Sequence, residues 1–76
     1  MNDEDIRNNI KNNLINLRKK YGLTQSDIAD ITEKKAPTIA SWEQGISLPD
    51  LQTLYRLSKY YHVMLEYFYE HKEDES

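Results

Sequence analysis

Residues 22–45 read GLTQSDIADITEKKAPTIASWEQG, and the spacing inside this stretch fixes the architecture of the chain. Thr24 offers a hydroxyl to the amides of Gln25, Ser26 and Asp27, and Leu23 and Ile28 stand where a hydrophobic staple would close, so a helix begins here. That helix is expected over about 25–31. A second pattern opens near Pro37, whose fixed φ suits a first helical turn, and it carries Ile39 and Trp42 three residues apart on one face. It stops at Gly45, a natural left-handed C-cap, which gives a helix over about 36–44. Two short helices joined by the charged link Thr32-Glu33-Lys34 is the reading.

Upstream, Ile6, Ile10, Leu14, Leu17 and Tyr21 recur at helical spacing with Gly22 behind them, which predicts a first helix over roughly 4–21 with these residues inward. Its asparagines at 8, 9, 12, 13 and 16 are poor helix formers, so packing must hold the segment, and its first turn is expected to fray. Downstream, Ile46-Ser47-Leu48-Pro49 reads as a loop and Asp50 as the N-cap of a fourth helix with Leu51, Leu54, Leu57 and Tyr61 inward. A short fifth helix is expected from about Met64 to Tyr69, with Val63, Leu65 and Phe68 closing the core. No alternating apolar run of useful length marks a strand, and there is no internal repeat.

Seventy-six residues make one small domain, near the lower limit at which a hydrophobic core suffices unaided. The expected arrangement is a single domain over 1–76, with a core at about 6–69 and acidic tails at 1–5 and 70–76. The chain has no cysteine, so it has neither a disulfide framework nor a thiolate metal site, and His62 and His71 are too few for zinc. No apolar run is long enough for a membrane span or a signal peptide, so a cytoplasmic location is expected. The net charge of −3 hides a separation. Between residues 6 and 62 nine Lys/Arg face five Asp/Glu, a surplus of four positive charges, whereas Asp3, Glu4, Asp5, Glu66, Glu70, Glu73, Asp74 and Glu75 crowd the two ends. The plain reading of those ends is solvation.

The residues Gly22-Leu23-Thr24-Gln25, Ile28-Ala29, Thr38-Ile39 and Trp42-Glu43-Gln44-Gly45, continued through Pro49-Asp50-Leu51, Leu54, Leu57, Val63 and Phe68, resemble the helix-turn-helix of the Cro and phage-repressor (Xre-type) family. The resemblance runs from about Ile10 to Phe68. It implies an all-α, five-helix, lambda-repressor-like DNA-binding domain in which helices two and three form the helix-turn-helix. The link departs from the family's order of an apolar residue, a left-handed glycine and a second apolar residue. Glu33 in that conformation would carry a steric cost that glycine avoids, so the turn is either built differently or accepts strain, and Ile31 is placed to replace the missing apolar residue. His62 stands where the family often has glycine, and Met64 lacks the usual capping hydroxyl.

Lys34 and Lys35, just ahead of the third helix, suit phosphate neutralisation, and the start of the second helix suits a phosphate near Gln25 through oriented N–H groups. The resemblance assigns Gln25 to DNA and places base reading at Ala36, Pro37 and Ser41, with Thr38, Ala40 and Gln44 near the groove. Alanine and proline offer no side-chain hydrogen bond, so direct readout would be sparse and shared among Ser41, Thr38, thymine methyls and DNA deformability; Ala36-Pro37 also reads simply as a rigid helix start. The resemblance further implies a structural ion pair between Arg18 and Glu43, while its spacing from Ile39 marks Trp42 as core. Five of the eight aromatic residues fall between Tyr60 and Tyr69. Tyr61 and Phe68 fit the core, which leaves Tyr60, Tyr67 and Tyr69 for a homodimer contact, in which case the operator would be an inverted repeat. No catalytic constellation and no cofactor are implied. The expected function is a sequence-specific DNA-binding regulator, most simply a repressor acting by operator occupancy. The alternative is a protein-interaction module, antitoxin-like or an adaptor, that retains the shape with weak or no DNA binding.

Overall fold

The computed structural model describes residues 2–71. Four α-helices, α1 (Asp3–Lys20), α2 (Gln25–Thr32), α3 (Ala36–Glu43) and α4 (Leu51–Tyr61), precede a 3-10 segment, Leu65–Tyr69. The expected fifth α-helix is therefore this tighter turn. It has no side-chain cap at Met64, and five residues are too few to establish an α-helical hydrogen-bond ladder.

Side-chain oxygens start three of the four helices. Asn2 and Asp5 form a capping box at α1, Thr24 and Asp27 form another at α2, and Asp50 accepts the Thr53 amide at 2.8 Å. The expectation of a frayed first turn in α1 takes no account of Asn2. Asp3, Glu4 and Asp5 make up that first turn, where negative charge complements the helix dipole.

All four helices end in the same way. The residues after them, Gly22, Glu33, Gly45 and His62, have φ of 68°, 59°, 78° and 58°. In each case the amide of the following residue donates back across the last turn: Leu23 to Arg18, Lys34 to Ala29, Ile46 to Ser41 and Val63 to Ser58, at 2.9–3.0 Å. These are Schellman closures. Thus the left-handed geometry survives at the altered link, and Glu33 and His62 occupy a conformation that disfavours a Cβ. Thr32 takes the apolar position beside it by sinking to 5% exposure and returning its hydroxyl to the Ile28 carbonyl at 2.7 Å.

The core joins Ile10, Leu14 and Leu17 of α1 to Ile28, Ala29, Ile39, Trp42, Leu54, Leu57, Tyr61 and Phe68. α1 packs on α3 and on the 3-10 segment, and α2 packs on α3 and α4. Two residues expected inside lie outside. Leu51, in the first turn of α4, is 63% exposed, and Tyr21, just beyond the end of α1, is 45% exposed. Tyr21 instead leans on the Tyr61 ring at 4.9 Å and donates its hydroxyl to the Tyr61 carbonyl.

Two asparagines hold the C-terminal segment. The Asn13 amide, buried in α1, donates to the carbonyls of Tyr67, Phe68 and Glu70 at 2.8–3.0 Å, and Asn9 one turn earlier donates to Tyr69. A 3-10 segment leaves carbonyls without internal partners, and these amides satisfy them.

Candidate DNA-binding surface

The placement of α3 depends on one polar joint. Arg18, in the last turn of α1, donates from Nε to Glu43 Oε2 at 2.7 Å and from its second terminal nitrogen to Glu43 Oε1 at 2.9 Å. Its remaining terminal nitrogen donates to the Leu23 carbonyl at 2.9 Å. The two side chains are only 15% and 8% exposed. A planar fork facing a carboxylate fixes orientation as well as distance. The hydrogen bond to Glu43 raises the Arg18 guanidinium further above its ordinary value, with burial acting in the opposite direction. Gln25 joins them through an amide donated to Glu43 Oε1 at 3.0 Å. The start of α2, the end of α1 and the end of α3 thus meet at a single carboxylate. This is also where the Gln25 side chain goes: its amide nitrogen faces inward to Glu43.

Beyond the joint, α3 presents a mixed outer surface. Lys34, Lys35, Pro37 and Gln44 are exposed, whereas Ala36, Thr38, Ala40 and Ser41 are half-buried and Ala36 packs partly on the core. Lys35 occupies the N-cap position with no side-chain cap, so this helix start lacks the oxygen that closes α1, α2 and α4. Lys34 lies close enough to Asp50 to help hold that carboxyl below the usual range, after the larger effect of hydrogen bonds from Thr53. Ser41 shares a 2.8 Å hydrogen bond with the Ser47 hydroxyl, which ties α3 to the loop after it. No pattern in the chain marks Ser47 as that partner.

The tyrosines divide differently from expectation. Tyr60 is 43% exposed and meets Tyr61 edge-on, whereas Tyr67 and Tyr69 are half-buried against the core, with Tyr67 edge-on to Phe68 at 6.2 Å. Met64, at 71% exposure, is the more prominent apolar side chain there, and Tyr55 on α4 is more exposed than any of the three. Burial pushes the Tyr61 hydroxyl well above the ordinary tyrosine range. No helix among the described residues is long and apolar enough to cross a membrane, and no three of their His, Asp or Glu side chains gather as metal ligands.

These features match those of known proteins. Residues 14–68 match the helix-turn-helix family model, and the chain belongs to that family, of the Cro and phage-repressor (Xre) type. A solved structure of a transcriptional regulator from Listeria innocua is 28% identical, with a TM-score of 0.78 over 86% of this chain. The match takes in 61% of that regulator, so the chain spans about three fifths of its length. The comparison with curated proteins finds no match.

Proposed function

We propose that the protein is a sequence-specific, double-stranded-DNA-binding transcriptional regulator that works in the cytoplasm as a repressor by occupying its operator, with α3 in the major groove. The observation that carries this reading is the outer face of α3. Its start is uncapped and flanked by exposed Lys34 and Lys35, while the Arg18–Glu43–Gln25 joint holds its other end rigidly to α1 and α2. A helix N-terminus bearing cations attracts phosphate, and a fixed docking angle is what groove reading requires. The likeness to a transcriptional regulator of Listeria innocua supports the regulatory part.

Within this reading Lys35 neutralises a phosphate, with Lys34 and the amides beside Gln25 assisting, and Gln44, Thr38 and Pro37 face the base edges. Ser41 holds the loop through Ser47, and Ala36 sets the helix start. Sequence selection then rests on thymine-methyl contact and DNA shape more than on bidentate hydrogen bonds. Repression needs two copies, and Tyr60, Tyr67, Tyr69 and the exposed Met64 supply the contact surface. Their α3 helices would lie about one helical turn apart, roughly 34 Å, on an inverted repeat.

The experiment is selection of bound duplexes from random DNA, followed by a salt titration of the selected sequence with wild type and Lys35→Glu. Binding that weakens steeply with salt, with a log–log slope shallower by about 1 in the variant, is the expected result. Failure to enrich any sequence, or binding indifferent to salt, favours the protein-interaction alternative.

A further inference from the structure

An open groove of about 620 Å³ runs along α4, lined by Leu51, Tyr55 and Leu65 with Gln52, Arg56 and Lys59. Its apolar walls are unusually bare, Leu51 being 63% and Tyr55 54% exposed. The two charged side chains that line it, Arg56 and Lys59, are both cations. Residues 51–61 contain Arg56 and Lys59 and no acid, in a chain with 13 Asp/Glu. Lys59 Nζ stands 5.2 Å from the Tyr55 ring centroid, so the cation overhangs the apolar floor. Arg56 is held by Glu33 in an ion pair 3.2 Å long whose side chains are 51% and 80% exposed. Such a solvated pair is worth little and yields readily to a competing carboxylate.

We infer that this groove docks an acidic amphipathic helix of a different protein, its apolar residues against Leu51, Tyr55 and Leu65 and its carboxylates on Arg56 and Lys59. A second copy of the chain fits poorly, because pairing α4 with itself brings two Arg56 and two Lys59 together with no acid from either helix. DNA fits less well, because Leu51 and Leu65 offer phosphate no donor and Glu33 already pairs with Arg56. An acidic helix supplies both missing halves, with apolar anchors at i and i+3 or i+4 and negative charge beside them. The groove borders Lys34 on one side, since Gln52 and Arg56 also line a smaller pocket together with Glu33 and Lys34. This inference does not depend on the DNA reading.

The test is fluorescence anisotropy of the full chain with a labelled peptide of two Leu-Glu-Glu-Leu-Phe-Glu-Asp heptads, against a control with every Glu and Asp replaced by Gln and Asn. Saturable binding at micromolar concentrations is expected, weaker by about tenfold or more for the neutral control and for each of Tyr55→Ala and Lys59→Glu, and unchanged for Lys35→Glu. Both α4 side chains are exposed, so these variants keep the fold, which Trp42 fluorescence verifies. The inference falls if the acidic peptide shows no saturable binding up to about 1 mM, or if the neutral peptide binds equally. It also falls if Tyr55→Ala dissolves a wild-type dimer in sedimentation, because the occupant is then a second copy, or if Lys59→Glu weakens DNA binding as much as Lys35→Glu does.

Discussion

Replacing Asn13 by aspartate changes almost no volume and inverts the chemistry of the C-terminal clasp. The Asn13 amide, 2% exposed, gives its two hydrogens to three carbonyls, those of Tyr67, Phe68 and Glu70. The substitution Asn13→Asp sets a carboxylate against those same carbonyls, removing every donor and leaving only acceptors. Three hydrogen bonds at about 1 kcal/mol each, together with an unpaired charge kept from water, amount to about 3–5 kcal/mol at neutral pH. A domain of this length is stable by roughly 4–11 kcal/mol, so the variant will be marginal. The loss must also depend on pH. Burial and carbonyl repulsion raise the folded-state pKa of the new carboxyl above its unfolded value of about 3.9. Its protonated form can donate one hydrogen bond, so the additional destabilisation is absent below the unfolded pKa and grows as pH rises through the folded one. Urea unfolding followed by the fluorescence of Trp42, the single tryptophan and 4% exposed, measures this. Against wild type at the same pH, Asn13→Asp is expected to cost about 3–5 kcal/mol at neutral pH and about 1–2 kcal/mol near pH 3.5, whereas Asn13→Ala gives one value throughout. An equal cost at both pH values, or a cost under about 1 kcal/mol at neutral pH, refutes the clasp.

Removing the carboxylate at the helix joint by Glu43→Ala leaves Arg18 uncompensated and is expected to cost about 3 kcal/mol, lowering Tm by roughly 12–24 °C. In a double-mutant cycle with Arg18→Ala the two losses will not add, whereas Gln25→Ala alone costs about 1 kcal/mol. Glu33→Gly relieves a left-handed Cβ and loses only an exposed ion pair, so chemical denaturation will show it stabilised by about 0.5 kcal/mol, and the same holds for His62→Gly. Burial holds the Tyr61 phenol protonated well above the ordinary tyrosine range, which ultraviolet titration will show. Because its folded pKa lies above its unfolded one, its contribution to stability is full below about pH 10 and declines as pH rises beyond that.

The helix-turn-helix was legible because its signals are local. Thr24 caps within three residues, Gly22 and Gly45 close helices where glycine is cheapest, and Ile39 and Trp42 share a face one turn apart. The left-handed link was legible only as a departure, since Glu33 and His62 perform a glycine's task without being glycine. The joint was visible by resemblance for Arg18 and Glu43, but Gln25 resembled a DNA contact, and nothing nearby in sequence indicates that its amide points to a carboxylate 18 positions away. The asparagines mislead for the same reason. Helix propensity counts Asn9 and Asn13 as a cost, while their partners lie 54 to 60 residues downstream. Leu51 and Tyr21 carry the right periodicity but sit at helix ends, where the face turns away from the core. Lys34 and Lys35 were legible as a cationic pair ahead of α3, whereas the nearness of Asp50 to Lys34 arises only in the folded chain.

The asparagine clasp has a consequence for how the protein is made. Asn9 and Asn13 are synthesised before the carbonyls they need, which come 54 to 60 residues later. The core that Phe68 completes therefore cannot close until that segment is synthesised. A chain that ends before residue 67 cannot finish its own interior, because Phe68 and the carbonyls that Asn9 and Asn13 bind are missing.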